Sequence, residues 1–317
     1  MTPRQSTSPG STAPDPSGKR QREPSDPTLP RQPRHAHLAP GLYLVATPIG
    51  NLGDITLRAL DTLRGADVIA CEDTRITRRL LSHYGVHTPT TAYHDHNAPT
   101  ALPRLMKRLH KGEIVALVSD AGTPLVSDPG YRLVQAAIGA GIPVTTAPGP
   151  VAAIAALTLA GLPTDSFFFA GFLPTKQVAR RQRLETLSGV PAALIFYESP
   201  RRVPATLAEM VDCLGDRPAA VVRELTKVYE EVRRGSLVHL AADFAESGPP
   251  RGEVVLVVGP PAPQPVVADA QIDTMLGQTL ATMSLRDAVD HVAAASGRQR
   301  RDVYRRALTL ASTEPAK

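Results

Sequence analysis

Four short runs dominated by aliphatic residues lie in the first half of the chain: Leu42–Ala46, Asp67–Cys71, Ile114–Val118 and residues 142–146. Between them, apolar residues recur at helical spacing. Leu57, Leu60 and Leu63 mark one helix. Asp73 is placed to cap a second that runs to about Tyr84, with Gly85 at its C′ position. Residues 99–111 predict a third, a fourth starts near Gly130, and a fifth spans 151–161. Short apolar strands of this kind are buried on both faces, and strands alternating with helices require a parallel sheet with right-handed crossovers. The chain is therefore an α/β protein, and most other classes are excluded at the outset.

Gly161-Leu162-Pro163-Thr164-Asp165 breaks the pattern. Beyond it, Phe167–Ala170, Ala193–Tyr197, Ala219–Glu224, Ser236–Leu240 and Glu253–Val258 predict strands, with helices over about 178–188 and 202–213 and hairpins near the end. We therefore expect an N-terminal α/β domain over 40–162 and a second α/β domain over 163–260. A stiff proline-rich linker follows over 261–269, and then a helical appendage over 270–317. Nine of the 31 prolines fall in residues 1–40, a stretch rich in Ser, Thr and Arg with few large apolars. Residues 1–39 are expected to be a disordered tail.

Two cysteines, Cys71 and Cys213, exclude a disulfide scaffold and a four-cysteine zinc site. Residues 133–164 carry no charge, but Pro143, Pro148 and Pro150 interrupt them, so they read as a buried strand, turn and helix and not as a membrane span. With no apolar leader, the chain is expected to be cytoplasmic. The net charge is +5, and the first 40 residues hold six basic against three acidic side chains. The body is thus only mildly basic, and any nucleic-acid contact must come from local arginine clusters.

Ligands of open α/β sheets sit beyond the carboxyl ends of the strands. Three loops rich in Gly, Pro and small polar residues leave such ends: Thr47–Asp54, Ser119–Gly130 and Ala147–Val151. One such loop only turns the chain; three at successive strand ends point to a shared site. The chain has no Walker-type phosphate loop, no G-x-G-x-x-G after the first strand, no G-x-S-x-G elbow and no H-E-x-x-H.

The residues of these loops, read in order, carry a specific likeness. Leu44–Thr56, Glu72-Asp73-Thr74-Arg75, His94-Asp95-His96-Asn97, Ser119–Gly130, Pro148-Gly149-Pro150, Gly171–Pro174, Phe196–Ser199, Arg223–Lys227 and Gly252-Glu253 resemble, in the same order, the 16S rRNA cytidine-2′-O-ribose methyltransferases. These belong to the tetrapyrrole-methylase-like superfamily of S-adenosylmethionine-dependent enzymes, and the resemblance covers about residues 41–310.

The resemblance implies two α/β domains of the tetrapyrrole methylase (class III methyltransferase) type, with S-adenosyl-L-methionine in the cleft between them, and a homodimer. It implies methylation of a decoding-centre cytidine, cytidine 1402 in conventional rRNA numbering, with 16S rRNA or the small ribosomal subunit as partner. Its donor residues carry over onto Pro48, Asp120, Ala121, Gly122, Thr123, Ser127, Pro150, Val151, Ala152, Tyr197, Glu198, Arg223, Glu224, Leu225 and Gly252. Glu72, Asp73, Arg75, His94, Asp95 and His96 are candidates for catalysis or RNA positioning, no one of them favoured. Glu72–Arg75 also fits a plain capped helix start, and the two histidines lack a further ligand set for a metal. Extended backbone would put His94 and His96 on one face. Lys176, Arg180, Arg181 and Arg201, with Arg298, Arg300, Arg301 and Arg305 in the appendage, are candidate RNA contacts; solvated helix faces are the bland alternative. Two rival readings stand beside this one, a tetrapyrrole-precursor methyltransferase of the same superfamily and a ribosome-associated binding protein with a vestigial donor pocket. The Thr47–Asp54 and Ser119–Gly130 loops depart from the forms typical of the first.

Overall fold

The computed structural model of the chain describes residues 38–262 and 268–313. Strands β1 (Gly41–Val45), β2 (Val68–Cys71), β3 (Thr90–Ala92), β4 (Ile114–Val118) and β5 (Val144–Ala147) form one sheet in the order β3-β2-β4-β1-β5, parallel throughout. Helices α1 (Leu57–Gly65), α2 (Thr74–His83), α3 (Ala98–His110) and α4 (Tyr131–Gly139) supply the crossovers. Alternate residues of the three central strands β2, β4 and β1 enter opposite cores, which is why these strands are apolar throughout. Val45, Ile69 and Ala116 pack with Leu60, Leu63 and Leu81 on one face. Leu42, Val68 and Val115 pack with Leu105, Leu109 and Leu133 on the other.

From β5, Pro148-Gly149-Pro150 leads into α5 (Ala152–Ala160), which does not return to the first sheet. Its residues Ala153, Ala156, Leu157 and Ala160 pack on Ala193, Ile195, Ala220, Val222, Val255 and Val257 of a second sheet. That sheet holds β6 (Phe167–Phe172), β7 (Ala193–Glu198), β8 (Pro218–Arg223), β9 (Glu231–Ser236) and β10 (Val254–Val258) in the order β6-β7-β10-β8-β9. Only the β6–β7 pair is parallel. Its other face is covered by α6 (Gln177–Leu187), α7 (Val203–Leu214) and α8 (Leu237–Ser247). The uncharged stretch 133–164 is thereby explained: α5 is the helix sandwiched against the second sheet, and a charge on its packed face would lie buried without a partner.

One sequence expectation is corrected. Residues 236–240 are not a strand. Ser236 caps α8 by accepting the His239 N–H, and Leu237, Leu240 and Phe244 bury at helical spacing. The strand lies just before, as β9, whose Glu-Val-Arg-Arg-Gly-Ser sequence has no aliphatic run because it is an edge strand, half buried over most of its length. In the first sheet the edge strand β3 is three half-buried residues long and gave no apolar run to find.

Helices α9 (Asp269–Leu280), α10 (Leu285–Ser296) and α11 (Arg300–Thr313) enclose their own small core of Ile272, Leu276, Val289, Val292, Val303 and Ala307. The tail expected over 1–39 falls almost wholly, and the middle of the expected linker wholly, outside the described residues. Among the described residues no helix is long and apolar enough to cross a membrane.

Ala156 is fully buried against the second sheet, so a larger side chain there forces the helix off its seat. Ala156→Leu is expected to destabilise the chain by about 1–3 kcal/mol, read as a lowered midpoint in urea unfolding at unchanged slope.

Candidate functional site

The three loops at the carboxyl ends of β4, β1 and β5 are adjacent and tied to one another. Thr47 and Gly122 exchange backbone hydrogen bonds of 2.9 and 3.1 Å, joining the loops after β1 and β4. The Thr123 hydroxyl donates to the Pro150 carbonyl at 3.1 Å, joining the loops after β4 and β5. A side chain on Gly122, whose φ is +81°, would press on Ile49 and the Pro150 carbonyl. The loop then runs through Leu125 and Ser127, both non-glycine residues in the left-handed region, at φ 72° and 64°. Such conformations persist only where the surroundings over-determine them, and they cluster at functional sites.

The second sheet presents the end of β7, the end of β8 and the start of β10 to these loops. The Ala153 N–H at the start of α5 donates to the Tyr197 hydroxyl at 3.2 Å, and Phe169 and Phe172 contact that ring edge-on. Gly252 has φ +88°, and a Cβ there would overlap the Glu224 carboxylate. That carboxylate accepts the Glu253 N–H at 3.0 Å and is held by Lys227 at 2.8 Å.

Between the two sets lies a cleft of about 370 Å³, within the range of small-molecule sites. Ile49, Val151, Leu225 and Val255 supply apolar wall; Asp120, Ser127, Asp128 and Tyr197 supply polar groups. Of the predicted donor residues, Asp120, Ala121, Gly122, Thr123, Ser127, Val151, Ala152, Tyr197, Glu198, Leu225 and Gly252 line it. Pro48, Pro150, Arg223 and Glu224 stand behind the lining. Arg223 pairs with Glu231 at 2.5 Å. The Glu198 carboxylate is fully buried and occupied by Arg202, Thr206 and the Ser199 N–H.

A second depression adjoins the cleft, lined by Glu72, Asp73, Thr74, Arg75, Ala92, His94, Asp95, His96, Asp120 and Pro129. Both predicted catalytic clusters thus meet at one place, and Asp120 faces both hollows. Residues 94–97 form a turn, not an extended segment, and the His94 and His96 rings stand 6.1 Å apart, edge to face. The Asn97 carboxamide accepts the His94 N–H, and the buried His94 Nδ1 has no hydrogen-bond partner among the described residues. Asp73 accepts from Arg75 and caps α2, which holds its carboxyl at about 2. Its N–H donates to Asp120 at 3.0 Å. Glu72 is pushed above the usual carboxylate range by burial and then by the Asp120 charge. Among the described residues no group of three or more His, Cys, Asp or Glu side chains is arranged to hold a metal.

The residue that sequence reasoning missed is Asp128. It lines the cleft, and its carboxyl is pushed up to about 7 by burial first, then by the charges of Glu72 and Asp120. It lies inside the recognised Ser119–Gly130 run, but nothing local marks it. Its environment is made by burial in the folded cleft and by Glu72, which is far away in the chain.

Arg180 is corrected as an RNA contact. Its guanidinium is buried, forks onto Glu209 with two 2.7 Å hydrogen bonds and donates to the Thr175 carbonyl, locking α6 to α7. It shares the buried stripe of α6 with Leu184 and Leu187, and the basic neighbours Arg181 and Arg183 hid this. Lys176 and Arg201 are exposed, while Arg181 is paired with Asp212. In the C-terminal helices Arg298 is paired with Asp269, Arg300 with Asp290 and Arg305, at 3.7 Å, with Asp302. Arg301 is exposed and makes no ion pair among the described residues.

Comparison with known proteins follows the same division of the chain. The profile of the tetrapyrrole (corrin/porphyrin) methylases matches residues 41–241, and that of the RsmI C-terminal HTH domain matches residues 266–311. A ribosomal RNA small subunit methyltransferase I of Mesorhizobium japonicum is 55% identical over 277 residues, 87% of this chain and 94% of the relative. That of Pseudomonas aeruginosa is 46% identical over 271 residues, 84% and 96% of the two chains. Among solved structures, the methyltransferase CobJ aligns with a TM-score of 0.53 at 19% identity, covering 71% of this chain and 96% of its own. Cobalt precorrin-4 methyltransferase aligns with 0.52 at 18%, covering 72% and 97%. At such identities the likeness is one of fold.

Two outcomes follow from the geometry. Glu209→Ala leaves the buried Arg180 unpaired and is expected to cost about 3–5 kcal/mol in urea unfolding. Asp128 gives the stability a pH dependence of fixed sign. With its carboxyl raised to about 7, the folded chain keeps a proton that the unfolded chain has lost, so this group's contribution to stability falls as pH rises through that window. Asp128→Asn removes the dependence, so the variant should gain on the parent chain as unfolding is measured from about pH 5 to about pH 8.

Proposed function

The chain belongs to the ribosomal RNA small subunit methyltransferase I family, and on that premise we propose that it methylates the 2′-oxygen of a cytidine in the decoding centre of 16S rRNA, cytidine 1402 in conventional rRNA numbering. The chain is a methyltransferase and S-adenosyl-L-methionine is its methyl donor. The observation that carries the proposal is the pair of adjoining hollows: a half-open, largely apolar cleft of small-molecule size, and a shallower, charged depression joined to it at Asp120. A two-substrate transfer needs this, because alignment of the reacting atoms removes much of the entropic barrier.

The cleft residues fit the donor. Ile49, Leu225 and Val255 offer an apolar slot for a flat base, and the Asp120 carboxylate, held by the Asp73 N–H, offers negative charge to a cation. Overlap with Glu224 keeps side chains off Gly252 and leaves its backbone open to hydrogen bonding. When bound, the donor supplies an electrophilic methyl carbon on a sulfonium; the protein supplies position, exclusion of water and a place for the proton.

RNA docking falls to the C-terminal helices. Gly297, at φ +66° between α10 and α11, makes the short turn that a helix-turn-helix unit uses. Arg301, Tyr304, Arg305 and Leu308 follow at helical spacing on α11, all exposed. Exposed Tyr304 lies between Arg301 and Arg305 along α11. Lys176 and Arg201 add charge elsewhere. The active form is proposed to be a homodimer acting in the cytoplasm, as the family resemblance implies.

The test is to incubate the chain with labelled S-adenosylmethionine and small ribosomal subunits, then map the label. Label in one alkali-resistant linkage at the decoding centre is expected. Label on a base, or on a tetrapyrrole in place of RNA, overturns the reading. Arg301→Ala with Arg305→Ala should weaken RNA binding, and each lost phosphate contact should reduce the slope of log affinity against log salt by about one.

A further inference from the structure

We propose that Asp128 is the group that takes the proton from the ribose 2′-hydroxyl as the methyl group is transferred; the inference rests on the 2′-O reading above. Position is the first support. Asp128 lines the donor cleft while its neighbour Pro129 lines the charged depression, so the loop after β4 crosses the junction of the two hollows at this residue. Its carboxylate makes no hydrogen bond or ion pair among the described residues and is therefore available to a hydroxyl.

The other acids at the junction are less suited. Asp120 is already engaged by the Asp73 N–H. Asp73 is pinned by Arg75 and kept ionised down to about 2, which makes it a poor proton acceptor. Glu72 lines the depression and not the cleft. The groups facing Asp128 are Glu72 from the end of β2, Asp120 from the end of β4 and the Tyr197 phenol from β7. Glu72 is itself bordered by His94, Asp95 and Asp73. The remaining charges nearby are satisfied: Glu198 by Arg202, and Glu253 by Lys227. Burial and the two carboxylates bring the Asp128 carboxyl to about 7, where a base is most effective near neutral pH.

The ribose oxygen forms a bond to the methyl carbon, the carbon–sulfur bond breaks with its electron pair leaving on sulfur, and the hydroxyl proton passes to an Asp128 carboxylate oxygen. The product sulfide is neutral, and the proton is later lost to water.

The test uses the full chain. In single-turnover reactions with small ribosomal subunits, Asp128→Asn should slow ribose methylation by about 10²–10⁴-fold. Calorimetry without RNA should show S-adenosylmethionine affinity within about threefold of the parent. The parent's rate should rise with pH through an ionisation near 7, and Asp128→Asn should lose that limb. Glu72→Gln, which removes a like charge, should move the limb to lower pH. In the protein alone, the Asp128 carboxyl should titrate near the same value by carbon NMR. A near-parental rate for Asp128→Asn, or a limb that persists in it, overturns the proposal. Should the Asn variant lose donor binding or its fold, Asp128→Glu decides: a displaced limb supports the assignment, and an unmoved limb overturns it. Base methylation by the parent chain would instead sink the 2′-O reading, whereas ribose methylation undiminished in Asp128→Asn sinks this inference alone.

Discussion

The contact between α5 and the second sheet is the one on which the rest of the molecule depends. Ala153, Ala156 and Ala160 bring the helix close enough for Leu157 and the aliphatic strand residues to interlock around it. The helix is fastened to β5 by Pro148-Gly149-Pro150, where a side chain on Gly149 would crowd Ala46 at 2.9 Å. The carboxyl ends of the first sheet are therefore set against the ends of β7 and β8 by packing, with no long flexible hinge. Tyr197 and Thr123 add hydrogen bonds at the start of the same helix. The width of the cleft is a consequence of side-chain volume along one face of nine residues.

This placement also gathers like charge. Glu72, from the end of β2, and Asp120 and Asp128, from the loop after β4, meet where the two hollows join, in a protein whose formal charge is +5. Such crowding costs stability unless protons are retained, and two of the three carboxyls are indeed raised. The folded chain carries that cost in the loop where Leu125 and Ser127 hold left-handed backbone. Cost concentrated in one loop is the usual mark of a site shaped for chemistry.

Much of this was legible in the sequence, and the limits were physical. The parallel sheet could be read because strands buried on both faces must be aliphatic along their whole length. Two of the four edge strands could not: β9 is Glu-Val-Arg-Arg-Gly-Ser and β3 is three residues of Thr and Ala, and neither carries a period or a run. The loops of the site were legible because Gly and Pro at successive strand ends are informative together. What failed was anything decided by distant partners. Arg180 looked like one basic residue among several on α6, and only the fold brings Glu209 under it. Asp128 sat inside a run whose likeness was plain, yet its weakened acidity depends on burial in the folded cleft and then on Glu72, 56 positions earlier.

The C-terminal helices show what the economy of charge does to binding. Their arginines are abundant, but Arg298, Arg300 and Arg306 are engaged with Asp269, Asp273 and Asp290. The unit is nearly self-neutralised, and only a narrow stripe on α11 keeps its field pointing outward. Attraction built from so few charges is short in reach and quickly screened. Under the docking role proposed above, a module of that kind grips briefly and lets go, which suits a catalyst that must turn over.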